Sequence, residues 1–516
     1  MVYSGKPSTG CYLCRRRKIK CDEAKPGCRN CYVYGKECPG YRPAIVFQND
    51  TVPVQFRRWR TLVNKCKKLG TDGDGTDFNF SENTSLVSRP RYLADATWED
   101  RALCYFFDQY TIPKKYDGAP GILESIPALY MLCRENEAAG SPSSCLRWSV
   151  NAVALSAFAR EANAPHLDLQ ARKRYGMALH GLHVALSSPT EAAKDETLAS
   201  ILLLAIFEDI NGERRGLQSS HTAGFELFVM FHSQRRLDGK YSRCLFHFAY
   251  TQLQIQILGL GNRPRIDIES LVELFDPSDP LQRLMCSVTK ISHLVLNLNA
   301  LCPLSERDVA LTKAHILSCI TYANTLDSEL TRWCRDLPHE WLPRVVYSPG
   351  ESLITYPDVP TGSLWNFYRS ARIILQSIIQ NMYETVASLP GEYPEDEVSR
   401  STVDDIFSAD VTPPDIIHDL ISDICKSIPF TLGDVDSTGN PVQPASNSNY
   451  HSSGRTSRVR AIEGYELIWP LWGICTNKYA TPRQKRQARD SLQRLGSILG
   501  IKLASRLADA VEPVDI

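Results

Sequence analysis

The chain has 516 residues, of which 43% are hydrophobic and 22% charged, which is close to the composition of ordinary globular proteins. This length excludes one small domain and predicts roughly two to four folding units. The formal net charge is zero, but residues 1–70 carry 16 Lys and Arg against 4 Asp and Glu, so a basic head precedes an acidic remainder. The asymmetry predicts a polyanionic partner for the head alone.

The sequence contains no segment that resembles a signal peptide or a membrane helix. Its longest apolar run, from Ile201 to Phe207, is far shorter than the roughly 20 residues that a spanning helix needs. We therefore expect a reducing compartment and no membrane association. In such a compartment, clustered cysteines bind metal more often than they form disulfides.

Composition divides the chain into segments. Residues 1–10 are predicted to be a polar tail and 11–38 a cysteine-rich unit. Residues 39–95 are rich in Gly, Pro and small polar residues and are predicted to be a linker. Residues 96–516 are predicted to be mainly α-helical, with a disordered loop at 434–457.

The helical prediction rests on apolar residues repeated at i, i+3, i+4 and i+7. One such stripe begins at Leu103, a second at Val150 and a third at Leu198, with Gly212 as the expected stop of the third helix. Leu227, Met230 and Phe231 continue the pattern in a further helix, and strand-like alternation is scarce. A helix is also expected to begin near Pro414.

Six of the 17 cysteines form two copies of the pattern Cys-x2-Cys-x6-Cys. A structural zinc ion takes four ligands in a tetrahedron, so three thiolates in each copy leave each metal one ligand short. No nearby histidine can complete the set, because the first histidine is His166. The six cysteines are Cys11, Cys14, Cys21, Cys28, Cys31 and Cys38.

Sharing of ligands solves this shortage. Two tetrahedral Zn²⁺ ions need eight ligand positions, which six thiolates supply if two of them bridge both metals. The repeat requires the two bridging residues to be equivalent. Spacing alone leaves three pairs open, namely Cys11 with Cys28, Cys14 with Cys31, and Cys21 with Cys38.

The first copy of the repeat also carries a basic run from Arg15 to Lys20. Residues 14–20 are predicted to form one or two helical turns with Arg17 and Lys18 near the exposed end. Long cationic side chains there can reach guanine O6 and N7 in a major groove. We expect Arg15 and Lys20 to lie closer to phosphates, where cations give affinity without sequence information.

These features resemble the fungal binuclear zinc-cluster transcription factors, whose DNA-binding domain is of the Zn₂Cys₆ type. The match covers the six cysteines, the basic run and Pro26 between the two copies. The resemblance implies that Cys11 and Cys28 bridge two Zn²⁺ per chain and that Pro26 shapes the turn between the halves. It also implies that Lys18, with Arg17, reads CGG-type triplets in double-stranded DNA.

The helical region also resembles the regulatory region of these fungal factors, through residues 196–208, 221–224, 467–471 and 499–504. The resulting expectation is a small metal-stabilised DNA-binding domain, a linker and a large all-α regulatory domain at 96–516. Such a protein regulates RNA polymerase II transcription of a metabolic pathway in the nucleus. Its helical body would receive a coactivator or a small-molecule effector.

Several alternatives stay open or are disfavoured by the sequence. A scaffold with a vestigial zinc cluster would take up zinc without binding DNA. Residues 55–70 lack the sustained heptads of a coiled coil, so both a monomer and a homodimer remain open. Glu208, Asp209 and His221 do not make an ordered catalytic set, which favours structural roles and a protein that is not an enzyme. The acidic patch Asp404–Phe407 is expected to precede a helix rather than to activate transcription.

Overall fold

A computed structural model describes residues 11, 13–14, 17–24, 27–36, 38, 97–113, 121–139, 144–214, 216, 218–234, 242–301, 309–348, 350–389, 411–442 and 459–510. The chain divides into two compact units, Met1–Arg89 and Pro90–Ile516. The predicted tail 1–10 and the predicted linker 39–95 lie outside the described residues. The acidic patch Asp404–Phe407 lies outside them as well.

The described part of the first unit contains one short helix, α1 (Arg29–Val33), and a helical turn that includes Leu13 and Cys14. Its buried residues are almost all cysteines, with Leu13 beside them. So small an apolar core cannot offset the entropy of ordering the chain, and such a unit needs a metal for stability.

The second unit is largely helical, as predicted. Its helices have the following bounds: α2 (Trp98–Tyr110), α3 (Ile126–Ala138), α4 (Cys145–Glu161), α5 (His166–Leu186), α6 (Pro189–Ala192), α7 (Asp195–Asn211), α8 (Thr222–Gln234), α9 (Ser242–Leu260), α10 (Pro280–Leu301), α11 (Val309–Arg335), α12 (Val359–Ser388), α13 (Pro413–Thr431), α14 (Ala461–Thr476), α15 (Pro482–Ile498) and α16 (Lys502–Ala510). Short 3₁₀ helices cover Glu269–Leu274 and His339–Trp341.

Helix α7 lies at the centre of the packing in the first half of this unit. It contacts α4, α5, α8, α9 and α16, and its side chains are buried on nearly every face. A helix that is apolar all round is stable only when other helices surround it. The helix ends at Gly212, whose φ of 64° is the left-handed conformation that glycine adopts without a steric penalty. The predicted stop is therefore confirmed.

The predicted apolar stripes of α2, α4 and α7 face the core, with Phe106, Val150 and Leu198 each fully buried. The predicted helix α8 is present, but the residues that face the core are not the ones predicted. Its fully buried residues are Phe225, Phe228 and Val229, whereas Leu227 and Met230 are only partly buried. The helix is apolar over most of its surface, so spacing alone did not identify the inner side.

An antiparallel hairpin interrupts the helices, and sequence periodicity did not predict it. Strands β1 (Arg344–Ser348) and β2 (Glu351–Thr355) pair from Arg344 with Thr355 to Ser348 with Glu351. Gly350 lies in the turn with a φ of 89°. Strand β2 packs against α13, so the hairpin is a small addition to a helical core.

The start of the predicted disordered loop is hydrogen-bonded. One carboxylate oxygen of Asp436 accepts the backbone N–H groups of Thr438 at 2.9 Å and Asn440 at 3.0 Å. The Asp434 carboxylate pairs with Arg494 of α15. Residues 443–457 of the predicted loop lie outside the described residues. An Asx-type turn that fixes its own backbone accounts for the order in 434–442.

Glu208 and His221 lie together in the second unit, and their contacts tie helices to one another. The His221 Nε2 lies 3.2 Å from one oxygen of the Glu208 carboxylate, which also accepts a hydrogen bond of 2.8 Å from the Tyr175 hydroxyl. The second oxygen accepts a hydrogen bond from Ser220. Both carboxylate oxygens are engaged by the protein itself, which favours a structural role for this pair.

Asp209 and Arg214 form a buried ion pair of 3.2 Å, with both side chains 1% exposed. Tyr465 of α14 donates a hydrogen bond of 2.7 Å to the same carboxylate oxygen. Buried charges persist only when they are paired and hydrogen-bonded, so this contact joins α7 to α14. Within the described part of the chain, no helix has both the length and the apolar character to cross a membrane.

Candidate metal and DNA-binding site

The sequence repeat of the cysteine-rich unit is also a structural repeat. In the first copy the backbone N–H of Cys14 points at the Cys11 sulfur, 3.4 Å away. In the second copy the N–H of Cys31 points at the Cys28 sulfur, 3.3 Å away. Each Cys-x2-Cys segment thus directs a peptide N–H at its first sulfur, an arrangement that stabilises a thiolate.

Both copies end their helical turn in the same way. Lys18 has a φ of 55°, and the N–H of Ile19 donates to the carbonyl of Cys14 at 3.1 Å. The second copy repeats this bond with Gly35 at a φ of 68°. This is the Schellman ending, in which a left-handed residue closes the last turn. The predicted helix therefore ends at Lys18, and Lys20 lies beyond it.

The six sulfurs form two groups of four, and within each group all sulfurs lie within 4.8 Å of one another. The first group consists of Cys11, Cys14, Cys21 and Cys28, and the second of Cys11, Cys28, Cys31 and Cys38. Cys11 and Cys28 belong to both groups. Of the three pairs that spacing left open, the structure places this one at the centre.

The sulfur geometry fits two tetrahedral zinc ions. Zn–S bonds of about 2.3 Å require neighbouring sulfurs to lie about 3.8 Å apart in an ideal tetrahedron. The Cys11 sulfur lies 3.6 Å from those of Cys28 and Cys31, and the Cys14 sulfur lies 3.6 Å from that of Cys28. A donor set of sulfur alone, without carboxylate or imidazole, suits zinc rather than a hard cation.

The protonation of the thiols depends on their surroundings. Burial, followed by hydrogen bonds from neighbouring thiols, raises the pKa of Cys14 to about 12. Burial also disfavours the Cys21 thiolate, but the backbone N–H groups of Cys11 and Glu23 outweigh this and lower its pKa to about 7. Metal coordination deprotonates a thiol outright, so metal uptake by this unit must release protons.

The cations of the first copy project from the end of its helical turn. Arg17, Lys18 and Lys20 are all exposed. The guanidinium carbon of Arg17 lies 3.5 Å from the centre of the Tyr34 ring, a close cation–π contact between the two copies. Arg15 and Pro26 lie outside the described residues.

Tyr34 is a residue that the sequence reasoning missed. It follows Arg17 by 17 residues, the same separation as between Cys11 and Cys28, so the two residues occupy equivalent positions in the repeat. A pseudo-symmetric pair of turns that share a metal core brings equivalent positions near each other. The repeat therefore contained the signal, although no cation–π pairing was predicted from it.

Hydrogen bonds tie the segment after the basic run to α1. The Asn30 side chain donates to the carbonyl of Lys20 at 2.7 Å. The Asp22 carboxylate accepts the backbone N–H of Arg29 at 3.0 Å. These two bonds hold the backbone of residues 20–22 against the second copy of the repeat, and so fix the position from which the Lys20 side chain extends.

Two family models match the chain. The Fungal Zn(2)-Cys(6) binuclear cluster domain matches residues 9–45, and the Fungal specific transcription factor domain matches residues 151–339. The first covers the whole sulfur cluster, and the second begins in α4 and ends in the 3₁₀ helix at His339–Trp341. No solved structure matches the chain.

Curated relatives match the chain over short segments. A transcription regulator specific to the aspercryptin biosynthesis cluster of Emericella nidulans is 43% identical over 89 residues, which is 17% of this chain and 12% of the relative. The transcriptional regulatory protein moc3 of Schizosaccharomyces pombe is 58% identical over 36 residues, 7% of each chain. White-opaque regulator 2 of Candida albicans is 59% identical over 41 residues, 8% of this chain and 9% of the relative. The chain thus spans only a small part of the length of these relatives.

Proposed function

Because the chain belongs to the fungal Zn(2)-Cys(6) transcription factor family, we propose that its cysteine-rich unit is a zinc-dependent, sequence-specific DNA reader. The observation that carries this proposal is the pair of four-sulfur groups sharing Cys11 and Cys28, with exposed cations at the end of the adjoining turn. The protein would act in the nucleus and regulate RNA polymerase II transcription of a metabolic pathway.

Two Zn²⁺ ions would be held by the six cysteines, with Cys11 and Cys28 as bridging ligands. When bound, the metals supply the cross-links that so small a core lacks. The chain's own contribution is the placement of the thiols by two equivalent turns. Pro26 would shape the connection between these turns.

Lys18, with Arg17, would read a CGG-type triplet in the major groove. Both side chains are exposed at the end of a turn that is fixed by the sulfur cluster. Long cationic side chains held in this way can hydrogen-bond guanine O6 and N7. Arg15 and Lys20 would contact phosphates and set the position of the unit on the duplex.

The helical body would receive a coactivator or a small-molecule effector. It has a core of its own that is separate from the sulfur cluster, as a regulatory unit requires. The state of assembly, monomer or homodimer, determines how many triplets one complex reads. Sedimentation of the full chain distinguishes these two states.

A gel-shift series tests the DNA-reading function. Binding to a CGG-containing duplex is measured for the full chain as purified, after treatment with a zinc chelator, and after zinc is restored. We expect binding to be lost and then regained, and to weaken with salt as phosphate contacts require. Zinc uptake without salt-dependent DNA affinity would instead identify an interaction scaffold with a vestigial cluster.

A further inference from the structure

The helical body contains a cavity that the DNA-reading function does not use. It lies between residues 121–123, α9, the start of α12 and α14. Its volume, taken as the space open to the centre of a water molecule, is about 40 Å³. Its apolar wall is formed by Ile122, Leu123, Phe248, Leu281, Leu364 and Phe367.

Three polar side chains on this wall have no hydrogen-bond or ion-pair partner among the described residues. They are Glu466 of α14, His247 of α9 and Ser363 of α12. The Ser363 hydroxyl is buried, and the Glu466 and His247 side chains are half-buried. A buried hydroxyl is nearly always satisfied by protein, water or a ligand, so the Ser363 hydroxyl is a polar group that an occupant of the cavity would satisfy.

The ionisable pair is arranged to accept a cation. Burial raises the pKa of Glu466 to about 7 and lowers the pKa of His247 to about 4. The imidazole is therefore neutral near pH 7 and offers a lone pair, and no residue that the structure describes pairs a cation with the carboxyl group. Asp279 is the charged residue that acts on His247, and its carboxylate favours a positive charge nearby.

We propose that this cavity binds the ammonium group of a small primary amine that carries a short apolar chain. An ammonium group has three N–H donors and no acceptor, which matches one carboxylate, one imidazole nitrogen and one hydroxyl oxygen. The cavity has room for such a group, since on the same measure of volume a single water molecule needs about 10–15 Å³. The apolar chain would lie along Phe248, Leu364 and Phe367 toward the open side.

Other occupants fit this donor set less well. An anion would be repelled by Glu466. A hard divalent cation takes six or more oxygen ligands, and the wall offers only these few polar groups. The proposal deepens the sensing role proposed for the body, and its measurement needs no DNA. Failure of amine binding and failure of DNA binding are therefore separate outcomes.

Calorimetric titration of the full chain at pH 7.5 with three probes of equal chain length tests the proposal. The probes are n-butylamine, n-butanol and n-butyrate. We expect butylamine to bind at least about 10-fold more tightly than butanol, because only the ammonium group gains the charge-assisted contacts. Butyrate should show no binding. Equal affinity for amine and alcohol, or no binding of the amine, overturns the proposal.

Two variants locate the binding site. Glu466→Gln keeps the size of the side chain and should weaken butylamine binding at least about 10-fold while leaving the butanol affinity unchanged. Glu191→Gln, at an exposed glutamate of α6, a helix that contributes no residue to the cavity wall, is the matched control and should change neither affinity. If Glu466→Gln does not fold, Ser363→Ala should still lower the amine affinity selectively. Unchanged amine binding in a folded cavity variant contradicts the assignment.

Discussion

Lys18 has a left-handed backbone at the position where the second copy of the repeat has Gly35. A side chain in this conformation costs free energy, which glycine avoids. The first copy of the repeat therefore has a long cationic side chain at a strained position, whereas the second copy, 17 residues later, has a glycine that avoids the strain. A contact that needs this cation at this place would explain the choice, and base reading is the contact that we propose.

The Lys18→Gly variant distinguishes the contribution of the Lys18 side chain to DNA binding from the strain of its left-handed backbone. We expect the variant to hold zinc at least as well as the wild type, since the strain is relieved. On a CGG duplex it should lose about 1–3 kcal/mol of binding free energy relative to a scrambled duplex, because one base contact is gone. Fluorescence anisotropy with both duplexes measures the difference.

Lys36→Ala is the control for charge alone. Lys36 is exposed at the end of the second turn, so its loss should weaken binding to both duplexes slightly and equally. Equal, small losses on both duplexes for Lys18→Gly would contradict a base-reading role for Lys18.

Tyr34 holds Arg17 by a cation–π contact, and exposed contacts of this kind contribute about 0.5–1 kcal/mol. Tyr34→Leu should therefore weaken binding to the CGG duplex by roughly 2- to 5-fold, whereas Tyr34→Phe, which keeps the ring, should bind like the wild type. Tyr32→Leu is the matched control, because Tyr32 is 85% exposed. If Tyr34→Phe and Tyr34→Leu lose the same affinity, the ring does not position Arg17.

At the scale of elements, the link between α7 and the start of α8 depends on one ionised carboxyl group. Burial disfavours the charge on Glu208, but hydrogen bonding and charge attraction from His221 outweigh it, and the pKa falls to about 2. A carboxyl group whose pKa is lowered on folding stabilises the protein above its unfolded pKa. That stabilisation is lost as the pH falls toward the folded pKa.

Glu208→Gln should remove this stabilisation, which is on the order of 3 kcal/mol at neutral pH for a shift of this size. The difference in unfolding free energy between wild type and variant should be largest above about pH 4.5 and should shrink as the pH falls toward 3. Urea unfolding at a series of pH values measures it. A difference that stays constant or grows on acidification would show that Glu208 does not act through its charge.

Elements with a strong local signal were predictable from the sequence, and those that depend on distant contacts were not. The stop of α7 at Gly212 and the start of α13 at Pro413 follow from residues that act within one turn. The hairpin of β1 and β2 is short, and its strand β2 packs on α13, a contact that no local pattern reveals. The inner face of α8 likewise depends on neighbouring helices, because most of its surface is apolar.

The same contrast holds in the sulfur cluster. The spacing predicts that two metals share two equivalent sulfurs, because six thiolates must fill eight ligand positions. It cannot choose among three equivalent pairs, since the choice depends on how the two turns face each other. The structure places Cys11 and Cys28 at the centre of both groups. Arg17 and Tyr34 meet for the same three-dimensional reason.

At the scale of the whole molecule, the charge asymmetry of the sequence follows the division into units. The basic head contains the sulfur cluster, and the acidic remainder forms the helical body with its own core. The described core of the first unit consists of cysteines and Leu13, whereas the second unit has an extensive apolar core.

Metal content is the most direct test of the shared cluster. Elemental analysis of the purified full chain should give two zinc ions per chain. Cys38→Ala, which removes a sulfur from one group only, should leave about one ion bound. Cys28→Ala removes a sulfur from both groups and should leave none. A wild-type chain that binds the CGG duplex with one zinc ion or none, or a Cys28→Ala variant that retains as much zinc as Cys38→Ala, would contradict the account.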